Sequence, residues 1–495
     1  MNAPKISTKP PSGMRDFLPA DIARRQHVID VVRRIYGSYG FVPLETPAIE
    51  NLSTLLGKYG EEGDQLLYRL LHRRDALHRG LEAGAKLVAG LPEDAKGSGS
   101  DDPNREARAD VRLYESQLAD QGLRYDLTVP LARVAAQYDL PKYFKRYQIQ
   151  PVWRADRPGK GRFREFYQCD VDVTGTASLV AEAEVCGAVA EVLHALGFTD
   201  FKIRVNHRQL LRAMIHHAGI DLAHEAAALV AIDKLDKLGH GGVLEELAAR
   251  GISTETANKL MMLVLTADGE QLFGFDLNKV AEGPKTPIKR VRKQITDERG
   301  LKALDDLDEL FDLLAATPAG PHVQVSLDLA RGLGYYTGSI FEIAVPDLAG
   351  SLGGGGRYDN LVGMFGKKQV PAVGFSLGLE RILVVMEERG MFPNLSIGPD
   401  ALLCWMEGTP RAEVLRVAHT LRRQGIKVEV FPEDAKLGKQ LQYADAPGVK
   451  APVAAIVGGE ELKAGQVTLK HLASGTQERV ALEGAGEAVR ALMRQ

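Results

Sequence analysis

Apolar positions Ile22, Ile29, Val32, Ile35 and Tyr39 recur in steps of seven, three, three and four. That spacing lays them on one face of a helix opened by Asp21 and closed by Gly40. Phe41–Ile49 then reads as extended chain, and Pro43 and Pro47 confine it to a sheet edge or an interface. Strand-like material resumes at Leu123 and alternates from Tyr143 to Val173 around a turn at Arg157–Gly161. A helix over Ser178–Leu196 and a short strand over Phe201–Asn206 follow. Residues 208–318 carry helical periodicity almost throughout, which predicts a separate helical insertion. Strands return at Val323–Leu327 and Ile340–Ala344, and a glycine run, Gly353–Gly356, precedes a long helix over Gly378–Arg389. Past Pro393 and Pro399, residues 401–495 alternate strand, helix, strand, helix, strand, strand, helix. This predicts a small α/β domain with a mostly parallel sheet.

Composition narrows the class. The chain has 495 residues, 45% of them hydrophobic and 26% charged, a folding composition for about two to four domains. No uncharged apolar run reaches the roughly 18–20 residues that span a bilayer. The opening MNAPKISTKPPSGMRDF has no apolar signal core, so a soluble, cytoplasmic protein is expected. Cys169, Cys186 and Cys404 are far apart and form no CxxC pair, which argues for reduced thiols. Within a stretch of altered composition over 75–121, Leu91–Asp110 is polar and rich in Gly, Ser and Asp, and reads as a mobile surface insertion. The histidines at 207, 216, 217 and 240 lack metal-ligand spacing, and no metal site is expected from them.

The net charge of −3 announces no nucleic-acid partner, but local charge matters more than the sum. Lys142–Gln168 holds eight Lys/Arg against Asp156 and Glu165, a net of +6, interleaved with seven aromatic residues. Guanidinium forks suit phosphate oxygens and aromatic rings suit stacking on a base. A solvated basic hairpin with ordinary core aromatics is the competing reading. Neither GxxxxGK[ST] nor GxGxxG occurs, so nucleotide chemistry here requires another device.

VWRADRPGKGRFREFYQCDVDVTG (152–175) resembles motif 2 of class II aminoacyl-tRNA synthetases, and of the histidyl family in particular. AVGFSLGLERIL (372–383) resembles motif 3. GMRDFLP and the segment running to Pro47 resemble the family's N-terminus and motif 1. RYDLTVPLARV (124–134) and LARGLGYYTGSIFEI (329–343) resemble its two histidine segments, and GIKVEVF, LGKQLQYAD and VGGEELKAGQVTLK its anticodon domain. The family segment usually reads RGLDYY, whereas Gly334 stands here in place of the acid.

The resemblance implies an α+β fold: a class II antiparallel sheet flanked by helices, a helical insertion and a C-terminal α/β anticodon-binding domain. The expected division is 1–207 and 321–395 for the catalytic core, 208–320 for the insertion and 400–495 for the anticodon domain. It implies a homodimer that joins L-histidine to tRNA(His) using ATP and Mg²⁺. Arg154 and Arg331 would be the catalytic pair. Asp126, Leu127, Thr128, Arg154, Gln168, Asp172, Arg331, Tyr335 and Tyr336 would bind histidine. Arg154, Asp156, Arg162, Phe166 and Arg381 would hold ATP, and Arg157, Lys160 and Arg162 would approach the tRNA. Gly353–Gly356 would let backbone lie close to an adenylate, where a simple turn is the other reading. By their residues alone, Asp126 equally suits a helix cap, Tyr335 and Tyr336 a strand core, and Arg381 a salt-bridged surface. Two rival readings have the same fold. A regulatory subunit of ATP phosphoribosyltransferase generally lacks the C-terminal domain. A prolyl or threonyl enzyme is disfavoured by Asp172 with Tyr335–Tyr336.

Overall fold

A computed structural model describes residues 7–89, 117–264, 285–330, 334–366, 368–393, 395 and 397–494. The polar stretch Leu91–Asp110 and the arginine at 331 lie outside the described residues. Contacts group the chain into two compact units, Met1–Asp16 with Arg25–Met391 and Phe17–Arg24 with Phe392–Gln495.

The strands are β1 Val42–Pro43, β2 Ile49–Asn51, β3 Arg69–Leu70, β4 Gln121–Leu123, β5 Phe144–Trp153, β6 Glu165–Thr174, β7 Lys202–His207 and β8 Val323–Val325. They continue as β9 Ser339–Ala344, β10 Ser351–Arg357, β11 Ala372–Gly378, β12 Ala401–Trp405, β13 Val428–Val430, β14 Val453–Val457, β15 Gln466–His471 and β16 Gln477–Ala481. Among the described residues the first unit is built on an eight-stranded sheet in the order β1-β5-β6-β11-β10-β9-β7-β8. Its six central strands run antiparallel, while β1 and β8 add parallel edges. The prolines thus fall where the sequence put them: β1, with Pro43, is an edge strand, which spares the sheet a missing donor. β2, β4 and β3 form a small antiparallel sheet beside it.

The first helix, Pro19–Ser38, buries Val28, Ile29, Val32, Ile35 and Tyr36. Gly40 ends it at φ +79°, a backbone conformation costly for any residue with a Cβ. Ile22, expected on the apolar face, is about half exposed at 49%. Helix Val180–Ala195 packs across β11 and β6. It is rich in Ala, Val and Gly, and buries Glu182 at 0% exposure. That acid is held by Arg357 at the end of β10, at 2.6 Å from both Nε and Nη2, since an unpaired buried charge would cost several kcal/mol, on the order of 3–5. Between β7 and β8 the described residues are helical: Arg208–His217, Leu222–Asp233, Leu235–Ala249, Thr254–Val264, Thr286–Arg292 and Glu298–Ala315. His207 has a structural role here, accepting the Gln209 amide as a cap of the first of them.

Two expectations change. Gly353–Gly356 is not a turn: it is the body of β10, paired on both sides with β9 and β11. Glycine lowers strand propensity, but a Cβ at Gly353 or Gly355 would meet backbone oxygen at 2.3 and 2.1 Å, so only glycine fits. The C-terminal sheet is also not mostly parallel. Its order is β13-β12-β14-β15-β16, with β13, β12 and β14 parallel and β15 and β16 antiparallel. Long crossover helices, Arg411–Arg423 and Leu437–Ala444, serve the parallel strands. Only a six-residue helix, Gly459–Ala464, leads into β15, too short a connection for another parallel crossover.

Candidate active site

The register of the central sheet explains the site. Side chains two apart on a strand share a face, so Gln168, Asp170 and Asp172 of β6 line up on one side. Opposite them on β5 stand Gln150, Gln148 and Arg146, and on β11 Gly378, Ser376 and Gly374. Gly374 is required: a Cβ there would lie 1.9 Å from the Asp172 carboxylate. With the glycines of β10 as floor, this face opens into a cleft of about 480 Å³, the size of a small-molecule site.

One group of lining residues is enclosed. Asp126 is 2% exposed and accepts three hydrogen bonds: from Tyr59 Oη and Tyr335 Oη at 3.1 Å each, and from the Val129 amide at 3.0 Å. The amide bond caps helix Thr128–Gln137, so the cap and site readings of Asp126 hold together. Burial raises its carboxyl pKa, with those hydrogen bonds and Arg154 opposing. Asp172 accepts from the Tyr358 hydroxyl. Arg146 Nη2 is 2.9 Å from Asp172 and 3.8 Å from Asp170, with all three side chains buried. Gln168 donates to Ser376 Oγ at 2.7 Å. Tyr335 and Tyr336 meet edge to face, and burial raises both phenols.

A second group is half-buried. The Arg154 guanidinium lies 4.3 Å over the Tyr125 ring and 5.1 Å over Phe166, with Nε donating to the Tyr125 carbonyl at 3.1 Å. Arg162 pairs with Asp156 at 2.5–2.6 Å. Arg381, in the first turn of helix Leu379–Glu388, donates to the carbonyls of Gly161 and Ser351. Its neighbour Glu380 is buried, where it accepts from Arg25 Nη1 and the Tyr167 amide.

The cleft therefore gathers Asp126, Thr128, Arg154, Asp156, Arg162, Phe166, Gln168, Asp172, Tyr335, Tyr336 and Arg381. Leu127 is buried outside it, its carbonyl accepting from Arg146 at 3.1 Å. Arg157 is exposed, and Lys160 pairs on the surface with Glu388 at 2.9 Å. The basic segment is less bare than its sequence suggests: Arg146 is interior, and Lys145 holds Glu184. Tyr59, Tyr358, Arg146 and Asp170 line or support the site without having been assigned to it. Tyr59 and Tyr358 join it only through the tertiary fold. Arg146 and Asp170 carried a signal, a charged residue alternating with apolar ones on a predicted strand. Gly334 is exposed, and a Cβ there would meet nothing within 4 Å.

The cleft thus joins an enclosed group of carboxylates, phenols and an amide to more exposed arginines, whose guanidinium forks suit phosphate oxygens. The histidyl-tRNA synthetase family profile matches residues 102–382 and an anticodon binding domain profile matches residues 402–492. A histidine–tRNA ligase of Cytophaga hutchinsonii is 40% identical, covering 96% of this chain and 97% of its own. That of Gloeobacter violaceus is 38% identical, covering 97% and 98%. The crystal structure of histidyl-tRNA synthetase from Nostoc sp. PCC 7120 superposes with a TM-score of 0.73 at 28% identity, over 98% of this chain and 100% of that one. The chain belongs to the histidyl-tRNA synthetase family.

Proposed function

We infer that the chain is a histidine–tRNA ligase. It joins L-histidine to ATP as histidyl-adenylate, releasing pyrophosphate, and then passes histidine to the 3′ end of tRNA(His). The observation that carries this is the depth gradient of the one cleft, with buried carboxylates, phenols and an amide adjoining half-buried arginines.

Asp126, with Thr128 and Gln168, takes the α-ammonium group, which adds to Arg154 as a counter-charge for the buried carboxylate. Asp172 and Tyr336 take the two ring nitrogens, Tyr335 orients Asp126, and Leu127 acts through its backbone. Such a nest rejects an amino acid that leaves these groups unpaired. Arg154 bridges the substrate carboxylate and the α-phosphate, and the resemblance makes Arg331 its catalytic partner. The carboxylate oxygen attacks the α-phosphorus, the bond to the β-phosphate breaks, and pyrophosphate leaves. Arg381 holds the γ-phosphate, Phe166 stacks on adenine, and Asp156 sets Arg162 at the mouth. A terminal ribose hydroxyl of the tRNA then attacks the histidyl carbonyl and AMP departs.

Mg²⁺ bound to the ATP phosphates would screen their charge beside Arg154 and Arg381. Among the described residues there is no group of three or more His, Cys, Asp or Glu that could hold a metal ion. Arg157, Lys160 and Arg162 meet the acceptor end of the tRNA, and residues 400–495 its anticodon. The catalytic core takes 1–207 and 321–395, with 208–320 as the helical insertion. A homodimer forms through the Pro-broken edge, where Val42 and Ile49 are 48% and 47% exposed. Among the described residues no helix is long and apolar enough to cross a membrane. The cytoplasm, where translation takes place, is the location proposed for the ligase.

The test is charging of a tRNA(His) transcript with labelled histidine and ATP. Histidine ester on the tRNA is expected. Folded protein that forms none, yet stimulates an ATP phosphoribosyltransferase, would transfer the chain to the regulatory reading.

A further inference from the structure

Among the cleft's carboxylates that the roles above leave unused, Asp170 is the one on the same strand face as Asp172. Asp170 precedes Asp172 by two residues on β6 and so shares its face. It is 2% exposed, sits between Gln148 and Ser376 on the flanking strands, and lines the cleft. Its Oδ1 has no hydrogen-bond partner, and neither do Nε and Nη1 of Arg146 or Oε1 of Gln168. Arg146 reaches both acids, at 2.9 and 3.8 Å, and Tyr358 donates to Asp172. One guanidinium between two buried carboxylates leaves a negative charge in excess until a proton or a cation joins them.

We propose that Asp170 is a second carboxylate of the imidazole subsite, and that Asp170 and the substrate ring share one proton. This rests on reading the cleft as the histidine site. The proton sits either on Asp170 facing neutral imidazole or on the ring nitrogen that Asp170 and Asp172 face together; it moves between Oδ1 and that nitrogen, and no heavy-atom bond changes. Both forms are neutral overall, so the pair accepts histidine whether or not its ring arrives protonated. An uncharged amide side chain of similar size offers no proton to share.

The surroundings leave this titration to Asp170. Burial pushes its carboxyl up to about 7, with Arg146 and a hydrogen bond from the Ser376 hydroxyl opposing and Asp172 and Asp126 adding to the rise. Asp172 is also raised by burial, but Arg146 and the Tyr358 hydroxyl both favour its charged form. Tyr336 shares the cleft with the acid, and Tyr36 of helix Pro19–Ser38 and the Cys169 thiol lie near it, Cys169 on the other face of β6; all three are neutral groups raised by burial. Arg124 faces it as a cation, lowered by burial only to about 10. A free imidazole titrates near 6.5, close enough for one proton to serve both partners.

The test is the KM for histidine in ATP–pyrophosphate exchange, followed from about pH 7 to about pH 9, for the wild type and Asp170→Asn. A shared proton makes wild-type KM climb by up to roughly tenfold per pH unit once both partners are deprotonated, and the amide variant loses that slope. Parallel profiles would overturn the proposal while leaving the histidine reading intact. Should the variant fail to fold, calorimetry of histidine binding to the wild type near pH 8, in two buffers of unlike ionisation heat, decides. Uptake approaching one proton supports the shared proton, and no uptake overturns it. Wild-type protein that exchanges with no histidine at any pH would remove the histidine reading and this proposal with it.

Discussion

The central sheet and the C-terminal sheet are made of the same kind of strand and put to opposite uses. In the C-terminal unit both faces are apolar. Ala401, Leu403, Val453 and Val467 fill one core, and Leu402, Cys404, Ala454 and Ile456 the other. On β5 and β6 one face carries Arg146, Gln148, Gln168, Asp170 and Asp172, all buried and each with at least one polar atom lacking a hydrogen-bond partner. Such atoms cost roughly 1–3 kcal/mol each, which no sheet built only for stability would carry. The contrast teaches where a polar ligand fits: the polar face of β5–β6 offers it hydrogen-bonding atoms, while both faces of the C-terminal sheet are filled by apolar side chains.

The contrast can be broken at its strongest point. Asp172→Ala removes the partner of both Arg146 and Tyr358, and histidine-dependent exchange should fall by at least about a hundredfold in kcat/KM; normal histidine affinity would remove Asp172 from the site. Leu469→Ala, at a fully buried position of β15, is the matching change in the other sheet. It should cost about 2–5 kcal/mol of that unit's stability, seen as a lower unfolding midpoint, while exchange is spared. Deleting residues 400–495 carries this further, sparing adenylate formation and impairing tRNA charging. Gly374→Ala should be milder than Asp172→Ala, since the added methyl displaces the carboxylate without removing it. A loss in kcat/KM of about ten- to a hundredfold is expected, roughly 1.4–2.7 kcal/mol.

The polar face also has a pH signature. Asp170 holds its proton to about pH 7 when folded, and Asp126, Asp172 and Glu380 are raised in the same direction, all chiefly by burial. For Asp170 the folded chain therefore binds more protons than the unfolded chain between about pH 4 and about pH 7. This contribution to stability is fully present below that window and is lost as pH rises through it. Denaturant titrations should find Asp170→Asn less sensitive to pH over this range than the wild type; equal sensitivity would contradict the assignment. The smallest effect belongs to the rim. Lys160 and Glu388 are both about half exposed, so Lys160→Ala should change stability by less than about 1 kcal/mol and weaken charging in a salt-dependent way.

How much of this the sequence disclosed depends on what each residue needed. Helical periodicity marked the helices between β7 and β8, and Pro43 marked the edge strand, because both are local rules. Asp126, Gln168 and Asp172 were found by their resemblance to family segments, and so was Arg381. The glycine strand β10 was not legible as a strand, since its stability comes from β9 and β11 on either side and not from its own propensity. Arg146 passed for part of a basic surface because a charged residue alternating with apolar ones ordinarily faces water; here that face is covered by the cleft walls. Tyr59 and Tyr358 reach Asp126 and Asp172 across 67 and 186 residues of sequence, beyond any spacing rule.

The central claim is that the buried polar face selects histidine while the half-buried arginines handle ATP. ATP–pyrophosphate exchange, run with purified protein, Mg²⁺ and each standard amino acid in turn, tests it most directly. Exchange with histidine alone is the predicted result. Exchange with another amino acid, or with none from folded protein, would contradict it.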